Sequence, residues 1–244
     1  VRLMPRMKIF NTLEQATFDT PPVFNSTERK QFFALPLMLQ DAMAGLRTPT
    51  NKVCFLAAVG YFKARRKFFA RNVNSADIDY IARQLNLSIA DVDITSYTKF
   101  ACIHHQRIIL DYFGCRPFDA TTMAFAKSEI AMLAPVQYQP KQILIEIIQI
   151  LSREKIEVPS YNVLADLIIT AISQHKHTLS NIIHHGLNET QRSKLDALLE
   201  KENDNTTTEG WHYRLTLLKR PSQSTSPTKI KTNLADLETL QTLY

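Results

Sequence analysis

An all-α fold is the class this sequence predicts, on three observations. Glycine is scarce, five among 244 residues at positions 45, 60, 114, 186 and 210, against an average of about 7%. Apolar residues recur at helical rather than alternating spacing along most of the chain. Helix-opening pairs punctuate it at Thr48-Pro49, Pro159-Ser160 and Ser226-Pro227. No two glycines lie closer than fifteen residues, so neither a GxGxxG turn nor a GxxxxGK loop can form, which excludes nucleotide-binding enzymes of those two kinds. With 45% hydrophobic and 21% charged residues the composition is globular, and the length suits one large or two small domains.

Taken in order, the chain enters through an extended, proline-marked stretch ending at Pro21-Pro22. Thr48 as N-cap, with Pro49 at the first helical position, opens a segment whose Val53, Leu56, Ala57, Gly60, Tyr61 and Ala64 recur at helical spacing. The pattern leaves open whether Gly60 divides it into two helices. At its end, Lys63, Arg66 and Lys67 fall on one side. Ser75 caps a helix over 77–85, with Ile78, Ile81, Ala82 and Leu85 inward and Asp77 and Asp79 near the positive helix end. Further helices are predicted over 96–113 and 119–133.

Pro135 and Pro140 bracket a polar connection that serves as the domain boundary. The resulting division is a basic helical module over 4–136, a second helical module over 137–202, and a flexible segment with the start of a further helical region over 203–244. In the second module an apolar helix covers 141–155, and Pro159-Ser160 caps another from 161 to about 177, buried through Leu164, Ile168, Ala171 and Ile172. Two helices meeting at Val158-Pro159-Ser160 resemble a helix-turn-helix. Asn188 opens a helix through Leu195, Leu198 and Leu199. Residues 200–210 are polar, acidic and threonine-rich, the expected flexible segment. A last helix runs through Leu234, Leu237 and Leu240, with an apolar stripe that another element should cover.

Charge is unevenly distributed. Residues 1–72 hold twelve Lys/Arg and four Asp/Glu, a net of +8, whereas 73–120 hold four and six, a net of −2. No acid occurs between Asp41 and Asp77, while Arg47, Lys52, Lys63, Arg65, Arg66, Lys67 and Arg71 all fall there. A merely solvated face usually mixes signs, so this local positive field points to a polyanion. Phe55, Tyr61, Phe62, Phe68 and Phe69 interleave it and read mostly as core. Bases held on such a packed helix reach phosphates, and Thr48, Thr50 and Asn51 add neutral hydrogen bonds.

Other chemistry is thinly represented. Cys54, Cys102 and Cys115 show no CxxC spacing, so neither a disulfide framework nor a zinc ribbon is indicated, and a reducing, cytoplasmic setting fits. His104-His105, His175, His177 and His184-His185 offer no i, i+4 ligand pair. The pairs Asp77/Asp79 and Asp91/Asp93 could hold magnesium for a nuclease, but their place at helix starts explains them without metal. No apolar run is long enough for a membrane span.

Six stretches stand out together: Arg6-Met-Lys-Ile-Phe-Asn, Pro21-Pro-Val-Phe-Asn-Ser-Thr-Glu-Arg-Lys-Gln-Phe-Phe, Leu46-Arg-Thr-Pro-Thr-Asn-Lys-Val-Cys-Phe-Leu, Gly60-Tyr-Phe-Lys-Ala, Arg153-Glu-Lys-Ile-Glu-Val-Pro-Ser-Tyr and Tyr213-Arg-Leu-Thr-Leu-Leu-Lys. In combination they resemble the N-terminal region of Tn-three family transposases, a region also catalogued as a domain of unknown function. The resemblance runs from Met4 to the end and implies two helical DNA-binding modules that recognise the terminal inverted repeats of a replicative transposon. The family's acidic, magnesium-binding catalytic triad lies farther along the full-length protein, so no catalytic residue, cofactor or metal is expected here and the chain is not expected to be an enzyme.

The expectation is therefore sequence-specific binding of double-stranded DNA, in a bacterial cytoplasm and on the nucleoid when bound. The first module contributes Arg47, Thr48, Thr50, Asn51, Lys52, Lys63, Arg65, Arg66, Lys67 and Arg71, and the second Ser160, Tyr161, Asn162 and Lys176. Self-association of the full-length protein is a second partner expectation. The competing reading is a helical interaction or oligomerisation module, or an inhibitory truncated transposase, motivated by the apolar stripe at 230–243.

Overall fold

The computed structural model describes residues 7–137, 139–197, 201–203, 211–213, 231 and 234. The chain divides into two compact units, Val1–Lys176 and His177–Tyr244. In the first, α1 (Thr12–Asp19), α2 (Ser26–Phe32), α3 (Gln40–Ala44), α4 (Pro49–Arg65), α5 (Ser75–Gln84), α6 (Lys99–Phe113), α7 (Ala120–Leu133) and α8 (Pro140–Arg153) follow one another, and α9 (Tyr161–Gly186) begins. The second unit carries the rest of α9, then α10 (Glu189–Ala197) and a short antiparallel pair, β1 (Lys201–Asn203) with β2 (Trp211–Tyr213). The class is all-α, and among the described residues these three-residue strands are the only ones.

Local signals account for most helix starts. Thr48 accepts a hydrogen bond from the Asn51 N–H at 3.2 Å, with Pro49 at the first helical position of α4. Asp119 and Thr122 form a reciprocal capping box at α7, and Asn188 and Gln191 do the same at α10. Two further boxes, Asn11 with Glu14 and Asn25 with Glu28, open α1 and α2, so the entry expected to be extended is helical over α1. The cap expected at Ser75 moves by one residue: Asn74 precedes α5, and its side-chain amide donates instead to the Pro22 carbonyl at 3.0 Å. α9 continues past the expected end near 177 to Gly186. The flexible segment and last helix expected beyond 203 lie almost wholly outside the described residues.

Two apolar clusters build the first unit. The larger surrounds α4, whose Val53, Phe55, Leu56, Ala57, Val59, Tyr61 and Phe62 are buried around nearly the whole circumference, against Phe24, Phe33, Met43, Ile81 and Ile109. A helix apolar on every side is a central helix. Gly60 does not break it; a Cβ there would lie 2.4 Å from the Phe33 ring, so glycine is what admits the end of α2 against α4. The second cluster joins Ile9, Ala126 and Ile130 to Ile143, Leu144, Ile147 and Leu151 of α8 and to Leu164 and Ile168 of α9. It draws from both sides of position 136.

The residues between α8 and α9 connect to the rest through backbone. Val158 N–H donates to the Arg66 carbonyl at 2.9 Å, Arg116 N–H to Lys155 at 2.8 Å, and Glu157 N–H to Arg116 at 2.9 Å. This connection runs from Glu154 to Ser160 with Val158 and Pro159 buried. It is about twice as long as the three- or four-residue turn of a helix-turn-helix, so that expected arrangement is not seen at this pair.

Candidate nucleic-acid interface

The basic segment is split by the helix that carries it. Arg47 and Lys52 sit at the start of α4, and Lys63, Arg65 and Arg66 at its end. At 1.5 Å per residue the two groups lie roughly 25 Å apart. Between them α4 is wrapped by other elements, so no continuous basic stripe exists and the middle of the helix cannot enter a groove.

Of the residues expected to face a duplex, three do not. Thr50 is buried and its hydroxyl accepts the Asp93 N–H at 3.0 Å. Lys67 is 5% exposed; its ammonium pairs with Asp19 and lies 3.8 Å from the centroid of the Phe18 ring. Burial pushes the Lys67 ammonium below the ordinary lysine range, against the opposing pull of Asp19. Tyr161 is buried too, stacked on Phe10 at 5.4 Å, with its hydroxyl accepting the Phe10 N–H and its own N–H bonded to Asp19. Lys67, Asp19 and Tyr161 thus form a junction between α1, the residues after α4 and the start of α9.

The remainder are reachable. Arg47, Thr48, Lys63, Arg65, Arg71, Ser160, Asn162 and Lys176 are exposed, and Asn51, Lys52 and Arg66 half-buried. Some are engaged: Lys63 donates to the Gln31 carbonyl at 2.8 Å, Arg71 to the Tyr97 carbonyl at 3.5 Å, and Asn162 accepts from Gln15 at 3.3 Å. The Arg66 guanidinium lies between the Phe62 and Phe113 rings, 5.8 and 5.1 Å from their centroids. Arg66 also adopts the left-handed conformation, φ 53°, that closes α4. Lys63 and Arg65 in the last turn complement the negative pole of the helix dipole, which is a structural use of the same charges.

Two residues absent from the sequence reading join this end of α4. The backbone bonds of the α8–α9 connection set Arg116 beside Lys155, three residues before the Val158 N–H that holds the Arg66 carbonyl. Arg116 and Lys155 are exposed, and among the described residues Arg65, Arg116 and Lys155 have no carboxylate at ion-pair distance. The nearby Glu157 carboxyl is directed inward, accepting the Phe118 N–H at 3.3 Å, and burial raises its pKa. No local sequence signal pairs positions 65, 116 and 155; only the tertiary bridge does.

Elsewhere the titratable groups serve the core. Asp77 is fully buried and bonded to Arg29 Nε and the Tyr61 hydroxyl, each at 2.7 Å, with the Asn74 side-chain amide donating to it at 3.4 Å. The buried His105 meets the Tyr97 hydroxyl through its Nδ1 at 2.9 Å, Tyr97 packs with Cys54 and Cys102, and Cys54, Cys102 and Cys115 are free and buried. Among the described residues no helix is long and apolar enough to cross a membrane. A family model described as a domain of unknown function (DUF4158) matches residues 9–171, more than half of the chain. No curated protein matches it.

Proposed function

This chain belongs to the DUF4158 family, and we propose that its first unit binds double-stranded DNA through the cations gathered at the C-terminal end of α4. The observation that carries the reading is the convergence of Arg65, Arg66, Arg116 and Lys155 from separate parts of the chain, none of them ion-paired with a carboxylate among the described residues. A rigid core holding unpaired guanidinium and ammonium groups suits phosphate contacts, which set position and register on a duplex. Exposed Arg47 and half-buried Lys52, roughly 25 Å away along α4, supply a second contact point. Specificity enters through Ser160 and Asn162 at the exposed start of α9. By the sequence resemblance, the target is the terminal inverted repeat of a replicative transposon.

Fluorescence anisotropy with a repeat-end duplex and a scrambled duplex tests both levels. The triple variant Arg65→Ala, Arg116→Ala, Lys155→Ala is expected to weaken binding to both duplexes by an order of magnitude or more, since phosphate contacts carry no sequence. Native affinity in that variant would remove the proposal. Equal native affinity for the two duplexes would remove the terminal-repeat target alone.

A further inference from the structure

Apart from DNA, the first unit contains a cleft of about 650 Å³ between α1, the end of α4 and α8. Its walls are apolar: Leu13 and Phe18 from α1, Phe69 after α4, Ile145 and Ile148 from α8, and Val158. Two of these side chains stand open to solvent, Leu13 at 77% and Ile145 at 38% exposure, although each faces a concave apolar surface. The rim differs in character. Arg65, Arg66, Lys67 and Lys141 line it, against a single lining carboxylate, Glu14, which is already paired with Lys141, while Lys67 is paired with Asp19. The volume lies within the ~300–1,000 Å³ of ordinary ligand sites, which are mostly apolar with a few convergent polar groups.

We propose that this cleft binds an amphiphilic monoanion, a long-chain carboxylate whose alkyl tail lies along Leu13, Ile145 and Ile148 and whose head group meets Arg65. Charge complementarity selects the anion. Lys141 is held by Glu14 and Arg66 by its two aromatic rings, whereas Arg65 is exposed and, among the described residues, without a carboxylate partner. The aromatic faces in the cleft do not suit a stacked nucleobase instead. Phe18 has the Lys67 ammonium over its ring, and Phe10 is stacked on Tyr161. Arg65 and Arg66 belong to both surfaces, so the two proposals are separated by tests made without DNA.

The test is calorimetric titration of the purified chain with octanoate, decanoate and dodecanoate, each below its micelle concentration. Saturable one-to-one binding is expected, tightening roughly fourfold per added methylene. Dodecanol, which lacks the charge, is expected to bind at least tenfold more weakly than dodecanoate, and Arg65→Ala to remove that difference. Leu13→Glu and Ile145→Glu, at two exposed positions on different helices, are each expected to abolish binding while leaving the circular dichroism melt near native. Absence of saturable binding, equal affinity for alcohol and carboxylate, or native affinity in both glutamate variants would overturn the proposal. None of these readings depends on whether DNA binds.

Discussion

Replacing Lys67 by alanine removes a buried cation that ties three parts of the first unit together. The ammonium bonds Asp19 and lies 3.8 Å from the Phe18 ring centroid, while Asp19 also accepts the Tyr161 N–H that begins α9. A hydrogen bond to a charged group contributes about 1.5–3 kcal/mol, and a desolvated cation–π contact about 2 kcal/mol. Burial of the ammonium opposes both, as its lowered pKa records. The Asp19 side chain is 31% exposed, so the carboxylate left behind regains water, and the destabilisation stays below the ~3–5 kcal/mol of a sealed pair. Lys67→Ala should therefore cost about 2–3 kcal/mol, and Lys67→Met, which keeps the aliphatic stem, about 1–2 kcal/mol. In thermal denaturation the alanine variant should melt about 4–12 °C lower. A cycle with Asp19→Asn should be strongly non-additive. Native stability combined with weakened DNA binding would refute this reasoning, because the ammonium would then have to sit on a phosphate.

Asp77→Ala leaves the Arg29 and Tyr61 donors facing an empty, fully buried position, and should lower urea-unfolding stability by about 3–5 kcal/mol; a change under about 1 kcal/mol would show the pair is dispensable. Gly60→Ala places a Cβ 2.4 Å from the Phe33 ring, itself fully buried, so overpacking outweighs helix propensity and stability should fall by about 1–2 kcal/mol; a more stable variant would show that the ring can give way. His105 is held neutral to about pH 4 by burial first and by His104 second, with Tyr97 bonded to its ring and Phe55 edge-on to it. The unfolded chain protonates this histidine near its ordinary value of 6.5 while the folded chain refuses the proton. Its contribution is thus complete above about pH 6.5 and declines by up to about 1.4 kcal/mol per pH unit as pH falls toward 4. The stability difference between the native chain and His105→Gln should shrink over that window, and a constant difference would contradict the assignment.

Where a signal was local, the sequence disclosed the structure. Thr48-Pro49 opened α4 and Asp119 opened α7 because a cap needs only neighbouring residues. The Asn11 and Asn25 boxes carried the same kind of signal for α1 and α2, but those helices have no buried residues to give an apolar period. The basic segment was legible as a concentration of charge and illegible as a surface. Arg65 and Lys67 are two residues apart, yet one faces water and the other is sealed by Asp19 and Phe18 from 48 and 49 positions earlier. The converse holds for Arg116 and Lys155, which look isolated along the chain and meet only through the backbone bridge at Ile156.

Salt dependence of duplex binding, measured for the native chain and for Arg65→Ala, Arg116→Ala, Lys155→Ala side by side, probes the DNA-binding proposal most directly. The native plot of log affinity against log salt should slope at about −4 to −6, and the triple variant should be shallower by about 3, because each replaced cation leaves one phosphate with its counterion. Parallel lines for the two proteins, or a native slope near zero, would mean that these cations do not touch DNA.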